Sequence, residues 1–239
     1  MKYHYVWFLW ASAFLVPWTL LYVAQPAMRR EMLEVSAATS LLGLTEPFFV
    51  PGYWNPPTLF ELAQRTGFDI ESLIFCFAIG GIAAVLYNGL ARRRLRSVHQ
   101  AEQSLARHRF HRLMLAAPFV AFLPLYFLPW NPIYPGIVAL AIGGAANVVC
   151  RPDLARSTLI GGALFLALYA ALMLLLVVSA PGYIERVWNL ADLSGALIAG
   201  IPLEELAFGF AFGLYWTGVY EHFTWKRGEI HDRSLAPQG

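Results

Sequence analysis

Seven stretches of the chain are apolar over close to the ~20 residues that an α-helix needs to cross a bilayer, and they decide most of what this sequence can fold into. They cover residues 6–23, 35–54, 70–90, 113–128, 133–149, 159–179 and 202–223. The 239 residues are 58% hydrophobic and 13% charged, with the charges gathered between the apolar runs, which is the pattern of an all-α, multi-pass membrane protein and not of a soluble domain. The second and fourth runs carry internal prolines, Pro47 and Pro51 in one, Pro118 and Pro124 in the other, and are predicted to bend or to re-enter where neighbouring protein satisfies the freed backbone groups. The first run is too long for a signal-peptide core and is read as a helix.

Basic side chains fix the expected orientation, because Lys and Arg are retained on the cytoplasmic side. With the amino terminus outside and the carboxy terminus in the cytoplasm, fourteen Lys and Arg fall inside and only Lys2, Arg65 and Arg186 outside. Seven spans in the cell membrane are therefore expected, since one helix more or fewer would move a basic cluster to the wrong face. The run from Arg92 to Arg112 reads as a topology signal beside anionic lipid, and with a net charge of +2 no nucleic-acid partner is called for. Cys76 and Cys150 fall toward opposite faces in this arrangement, which argues against a disulfide between them.

An offset of 133 aligns the third apolar run with the seventh. Across the twenty positions from Asp69 to Asn88, seven are identical, among them Glu71/Glu204, Phe75/Phe208, Phe77/Phe210, Gly80/Gly213 and Tyr87/Tyr220. Pro51-Gly52-Tyr53 and Trp54-Asn55 are echoed by Pro181-Gly182-Tyr183 and Trp188-Asn189, with an insertion in the second copy. The expected organisation is two parallel three-helix repeats, 1–95 and 131–227, joined by a basic loop and linking helix over 96–130, with a cytoplasmic tail over 228–239. Ligand sites in such proteins lie between the repeats. Gly80 and Gly213 mark the faces where another helix comes close.

Carboxylates are costly inside a membrane, so Glu71, Glu204, Glu205 and Glu46 are candidates for function. All but Glu46 sit near helix starts, where acidic groups also serve simply as dipole partners. A Glu that recurs with an aromatic one turn below it, and the adjacent pair Glu204 and Glu205, exceed that need. Paired carboxyl groups in low dielectric can hold a proton between them, which supplies a general acid. Phe75, Phe208, Phe210, Trp54 and Trp188 would offer π faces that stabilise a cation without trapping it. Glycine-rich nucleotide turns, a serine elbow and histidine pairs at metal spacing are missing, so no cofactor and no metal is expected. His4, His99, His108, His111, His222 and His231 all fall at helix ends or in loops and are read as solvated. Only Lys2 and Lys226 exist, neither within a predicted helix, which argues against a retinal Schiff base.

The stretch Gly200-Ile201-Pro202-Leu203-Glu204-Glu205-Leu206-Ala207-Phe208, after Trp188 and before Tyr220-Glu221, resembles the signature of the membrane-bound, non-flavoprotein lycopene cyclase family. In that family a Pro-x-Glu-Glu motif opens a membrane helix in each of two three-helix halves. The first half of this chain departs from it, with Asp69-Ile70-Glu71-Ser72 keeping only the first Glu. The resemblance implies an apolar carotenoid or other isoprenoid substrate drawn from the bilayer and redox-neutral closure of its linear ends into β-ionone rings. Glu204 or Glu205 would protonate the terminal double bond and Glu71 would take the ring proton or tune its partners. Two other readings compete. One is a small-solute carrier, which shares the three-plus-one-plus-three topology; the other is an isoprenoid- or lipid-binding protein with altered catalysis, suggested by the changed first-half motif.

Overall fold

A computed structural model of the chain describes residues 3–230. Lys2, His231, Arg233 and most of the tail expected over 228–239 lie outside the described residues.

The chain is mostly helical. The first expected span forms as α1 (Val6–Ala13) and α2 (Leu15–Ala24), and the break between them has a local cause. Pro17 lacks the N–H that would bond the carbonyl four residues back, at Ala13, where α1 ends. The second begins earlier than expected, as α3 (Arg29–Ser40), and continues as a 3-10 helix over Leu41–Phe48 that contains Pro47. After a short α4 (Leu62–Thr66), α5 runs over Ile70–Leu90, with the Asp69 carboxylate capping its start by accepting from the Ser72 N–H.

Strand β1 (Arg93–Ser97) and short α6 (Gln100–Gln103) lead into α7 (His111–Tyr126), α8 (Ile133–Cys150) and α9 (Ala155–Ser179). α10 (Tyr183–Val187) and a small hairpin, β2 (Leu197–Ile198) with β3 (Ile201–Pro202), precede α11 (Leu203–Phe223) and β4 (Lys226–Ile230). The hairpin turns at Ala199 (φ 53°) and Gly200 (φ 83°), both left-handed as a type I′ turn requires.

Among the described residues, four helical segments are long and apolar enough to cross a membrane: Val6–Ala24, Ile70–Leu90, Ile133–Cys150 and Pro152–Ser179. α11 is as long as α5 but carries Glu204, Glu205, Glu221 and His222, all buried. It packs against α5, α8 and α9, so its polar groups meet protein rather than lipid.

α5 and α11 form the centre. Gly80 and Gly81 of α5 lie against Thr39 and Ser36 of α3, and Gly213 of α11 lies against Phe165 and Gly162 of α9. At one end of the bundle, the carboxylate end, Trp54 and Trp188 form an antiparallel bridge, flanked by Asn189 N–H to Tyr53 C=O (2.9 Å) and Asn55 N–H to Val187 C=O (2.8 Å). At the other, the arginine end, β1 and β4 pair antiparallel with Leu95 opposite Gly228 at the middle. Between these ends the Asn88 amide donates to Glu221 (2.6 Å) and the Thr217 hydroxyl to the Ala83 carbonyl (3.2 Å).

The arginine end is ordered by ion pairs. Arg151, fully buried, makes a two-pronged contact with Asp153 (2.8 and 2.6 Å) and also donates to the Lys226 carbonyl (2.9 Å). Arg227 bridges Asp153 (2.8 Å) and Glu102 (2.6 Å), tying the segment after β1 to β4.

Candidate active site

The β2–β3 hairpin delivers the chain into α11 so that Glu204 and Glu205 both fall in its first turn, about 100° apart around the axis. That rotation sends them into different surroundings. Glu205 points into the centre, where the Tyr53 and Tyr169 hydroxyls both donate to it and the Trp188 indole N–H donates at 2.7 Å. The same indole N–H lies 3.0 Å from the Tyr53 hydroxyl. Tyr53 follows the 3-10 helix, Tyr169 comes from α9 and Trp188 from the bridge after α10, so three separate segments converge on a carboxylate carried by a fourth, α11. Glu204 instead accepts from the Tyr134 hydroxyl of α8 (2.8 Å) and the Ser194 N–H (2.8 Å), holding the loop before the hairpin.

A cavity of 440 Å³ opens beside Glu205, within the range of ~300–1,000 Å³ found for small-molecule sites. Its walls are chiefly aromatic. Trp10 stacks on Phe75 (5.5 Å between centroids), Trp7 stands edge-on to Trp54 (4.5 Å), and Trp54 meets Trp188 at 5.3 Å. Phe208 completes the wall near Tyr169 (5.9 Å). Glu46, on the 3-10 helix, is the second carboxylate of the lining, and its Oε1 has no hydrogen-bond partner among the described residues. On one side the lining reaches Phe48 of the 3-10 helix and Phe119 and Leu123 of α7, all three substantially exposed on the outer surface of the bundle. The cavity therefore faces outward between these two elements.

Of the residues picked from sequence, Glu205, Glu46, Phe75, Phe208, Trp54 and Trp188 are brought together around this cavity. Glu204, Glu71 and Phe210 are not among its lining. Glu71 is fully buried and accepts from the Leu59 N–H (2.7 Å), pinning the loop before α4. Phe210 turns toward Gly162 of α9. Four contributors were missed: Tyr53, Tyr169, Trp7 and Trp10. Tyr53 and Trp10 carried a usable signal, since the first lies in the echoed Pro-Gly-Tyr segment and the second one turn from Trp7 on a helix.

One expectation is overturned. His108 and His222 are not solvated but buried, at 6% and 0% exposure. They collapse together at the arginine end because the segment before α7 folds back over the ends of α8 and α11, where His111 stacks on Trp225 (4.1 Å).

A mostly helical bundle of membrane-spanning type, with a hydrogen-bonded carboxylate in an aromatic cavity reachable from its outer surface, defines the class of protein. Residues 131–223 match the family model described as lycopene cyclase. No curated protein and no solved structure matches the chain.

Proposed function

We propose that the protein is an intramembrane carotenoid cyclase that closes the linear ends of lycopene or a related carotenoid into β-ionone rings without redox change. The observation that carries this reading is the convergence of Tyr53, Tyr169 and Trp188 on Glu205 inside an aromatic cavity, with Tyr169, Trp188 and Glu205 in the part of the chain that matches the family model. The chemistry is proton in, proton out. Glu46, unpartnered at Oε1, gives its proton to the terminal C=C, leaving a tertiary cation. The internal C=C attacks that carbon, forming the ring bond and moving the cation into the ring, where π faces such as Phe75 and Trp54 stabilise it by about 0.5–2 kcal/mol each. Glu205 then removes a ring proton, and a proton returns to Glu46 before the next turnover.

The cavity suits one end group of a C40 chain, the remaining polyene lying outward past Phe48 and Phe119 into lipid. A small polar solute would need a lining rich in hydrogen-bonding groups. Asn147, an amide that a carrier path could use, is engaged by His222 (2.7 Å), and Asn88 by Glu221 (2.6 Å).

The same reading takes the chain as seven spans in two parallel repeats, 1–95 and 131–227, around the linker 96–130. It places the carboxylate end outside and the arginine end in the cytoplasm of the cell membrane. Two cross-contacts support it, since each joins positions that correspond in the two copies: Trp54 with Trp188 and Asn88 with Glu221.

The test is expression in a lycopene-accumulating bacterium followed by pigment chromatography. Monocyclic or bicyclic product is expected. Unchanged lycopene in the presence of folded protein overturns the proposal, and pigment that copurifies without conversion points to the binding-protein reading.

A further inference from the structure

The histidines gathered at the arginine end are far from the cavity and play no part in cyclisation. The His108 Nδ1 lies 3.4 Å from the Cys150 sulfur, and the His111 Nδ1 lies 3.7 Å from the same sulfur. All three ligand atoms fall within 4.8 Å of one another. A tetrahedral ion with Zn–S near 2.3 Å and Zn–N near 2.0–2.1 Å holds its nitrogen and sulfur ligands about 3.5 Å apart. The observed separations bracket that value, so little movement is needed to admit an ion.

Simple hydrogen bonding from imidazole to thiol would explain one such contact. It does not explain two rings converging on one sulfur, nor the state of a fourth group beside them. His222 packs edge-on to His111 with centroids 4.4 Å apart, and its Nδ1 is held by the Asn147 side-chain oxygen (2.7 Å). Its Nε2 is buried with no partner among the described residues. An imidazole fixed by an amide oxygen on one nitrogen and left with a bare lone pair on the other is the way proteins prepare a metal-ligating histidine.

We propose that His108, His111 and Cys150 form a structural site for a borderline-soft divalent cation of the Zn²⁺ type, with His222 beside its fourth position. Binding displaces the Nδ1 proton of His108 and the thiol proton of Cys150. Arg107, which donates to the His108 Nε2 at 3.2 Å, moves away as that nitrogen takes up the proton. The ion ties the segment before α7 to the ends of α8 and α11, the regions where the connector between the two halves meets the second half.

The experiment uses the full chain purified in detergent with a tag free of histidine, stripped of metal and titrated with Co²⁺. Wild type and the Cys76→Ser control are expected to show one equivalent of Co²⁺ with thiolate-to-cobalt charge-transfer absorption. Cys150→Ser should lose that absorption, and His108→Ala should bind at least tenfold more weakly. Zn²⁺ should raise the unfolding temperature of wild type and leave that of Cys150→Ser unmoved. Absence of the absorption in folded wild type, or its persistence in Cys150→Ser, overturns the site.

Discussion

Replacing Glu205 by Gln separates the proposed chemistry from the architecture that surrounds it. The amide keeps the shape of the side chain. Its oxygen can still accept from Trp188 and Tyr53, which now meet the Glu205 Oε1, while its NH2 can donate to the Tyr169 hydroxyl, which turns round to accept. The fold therefore loses only the charge-assisted part of three hydrogen bonds, about 1–3 kcal/mol in total. Proton transfer at that position is lost altogether, and an acid–base group is worth about 10²- to 10⁴-fold in rate. Glu205→Gln should leave protein in the membrane at wild-type amounts while cyclised pigment falls below about one hundredth of wild type. Glu204→Gln is the matched control, because Glu204 holds Tyr134 and Ser194 and does not line the cavity. Chromatography of pigments from a lycopene-producing host, alongside immunoblots of the membrane fraction, reads both outcomes. Cyclisation that persists in Glu205→Gln, or that disappears only in Glu204→Gln, would refute the assignment of roles.

Tyr169→Phe removes one of the three donors to Glu205 and is expected to slow conversion by isolated membranes about 10- to 100-fold without abolishing it. Gly213→Ala places a methyl group 2.8 Å from the Phe165 Cβ and should destabilise the bundle by about 1–3 kcal/mol in detergent melts. Gly218→Ala, whose nearest neighbour is the Thr158 hydroxyl at 3.5 Å, should melt close to wild type. Arg151→Met strips Asp153 of its two-pronged partner; loss of a buried pair costs about 3–5 kcal/mol, and retention of Arg227 on the same carboxylate puts this variant toward the lower figure.

Much of the helical layout could be read from hydropathy, and the departures have local causes. The third apolar run and α5 share the bounds Ile70–Leu90, because no proline interrupts that run and Asp69 caps its start. The second run differs because Pro47 and the close approach of Gly43 to the backbone of α5 favour a 3-10 helix over a regular one. The different surroundings of Glu204 and Glu205 were beyond the sequence, since one step along a helix changes the facing direction by about 100°. Tyr169 was hidden for another reason. A tyrosine near an apolar run is usually an interfacial anchor, and only the long-range packing of α9 against α11 brings Tyr169 to the carboxylate. The buried histidines were misread because helix ends are normally wet, and nothing local announced that the connector would fold back over them.

α11 follows in chain order every helix it packs against, and it is the central helix richest in polar groups. During synthesis the membrane thus receives α5, α8 and α9 before the segment that completes the cavity. A segment carrying three glutamates and a histidine partitions poorly into lipid by itself. On the seven-span reading, its insertion draws on the waiting surfaces of those three helices, on Tyr169, Asn88 and Asn147 above all, which pair with its polar groups as it arrives. The contact of Tyr169 with Glu205 thereby also marks α11 as seated, and a damaged core would leave this segment outside the bilayer, exposed to quality control.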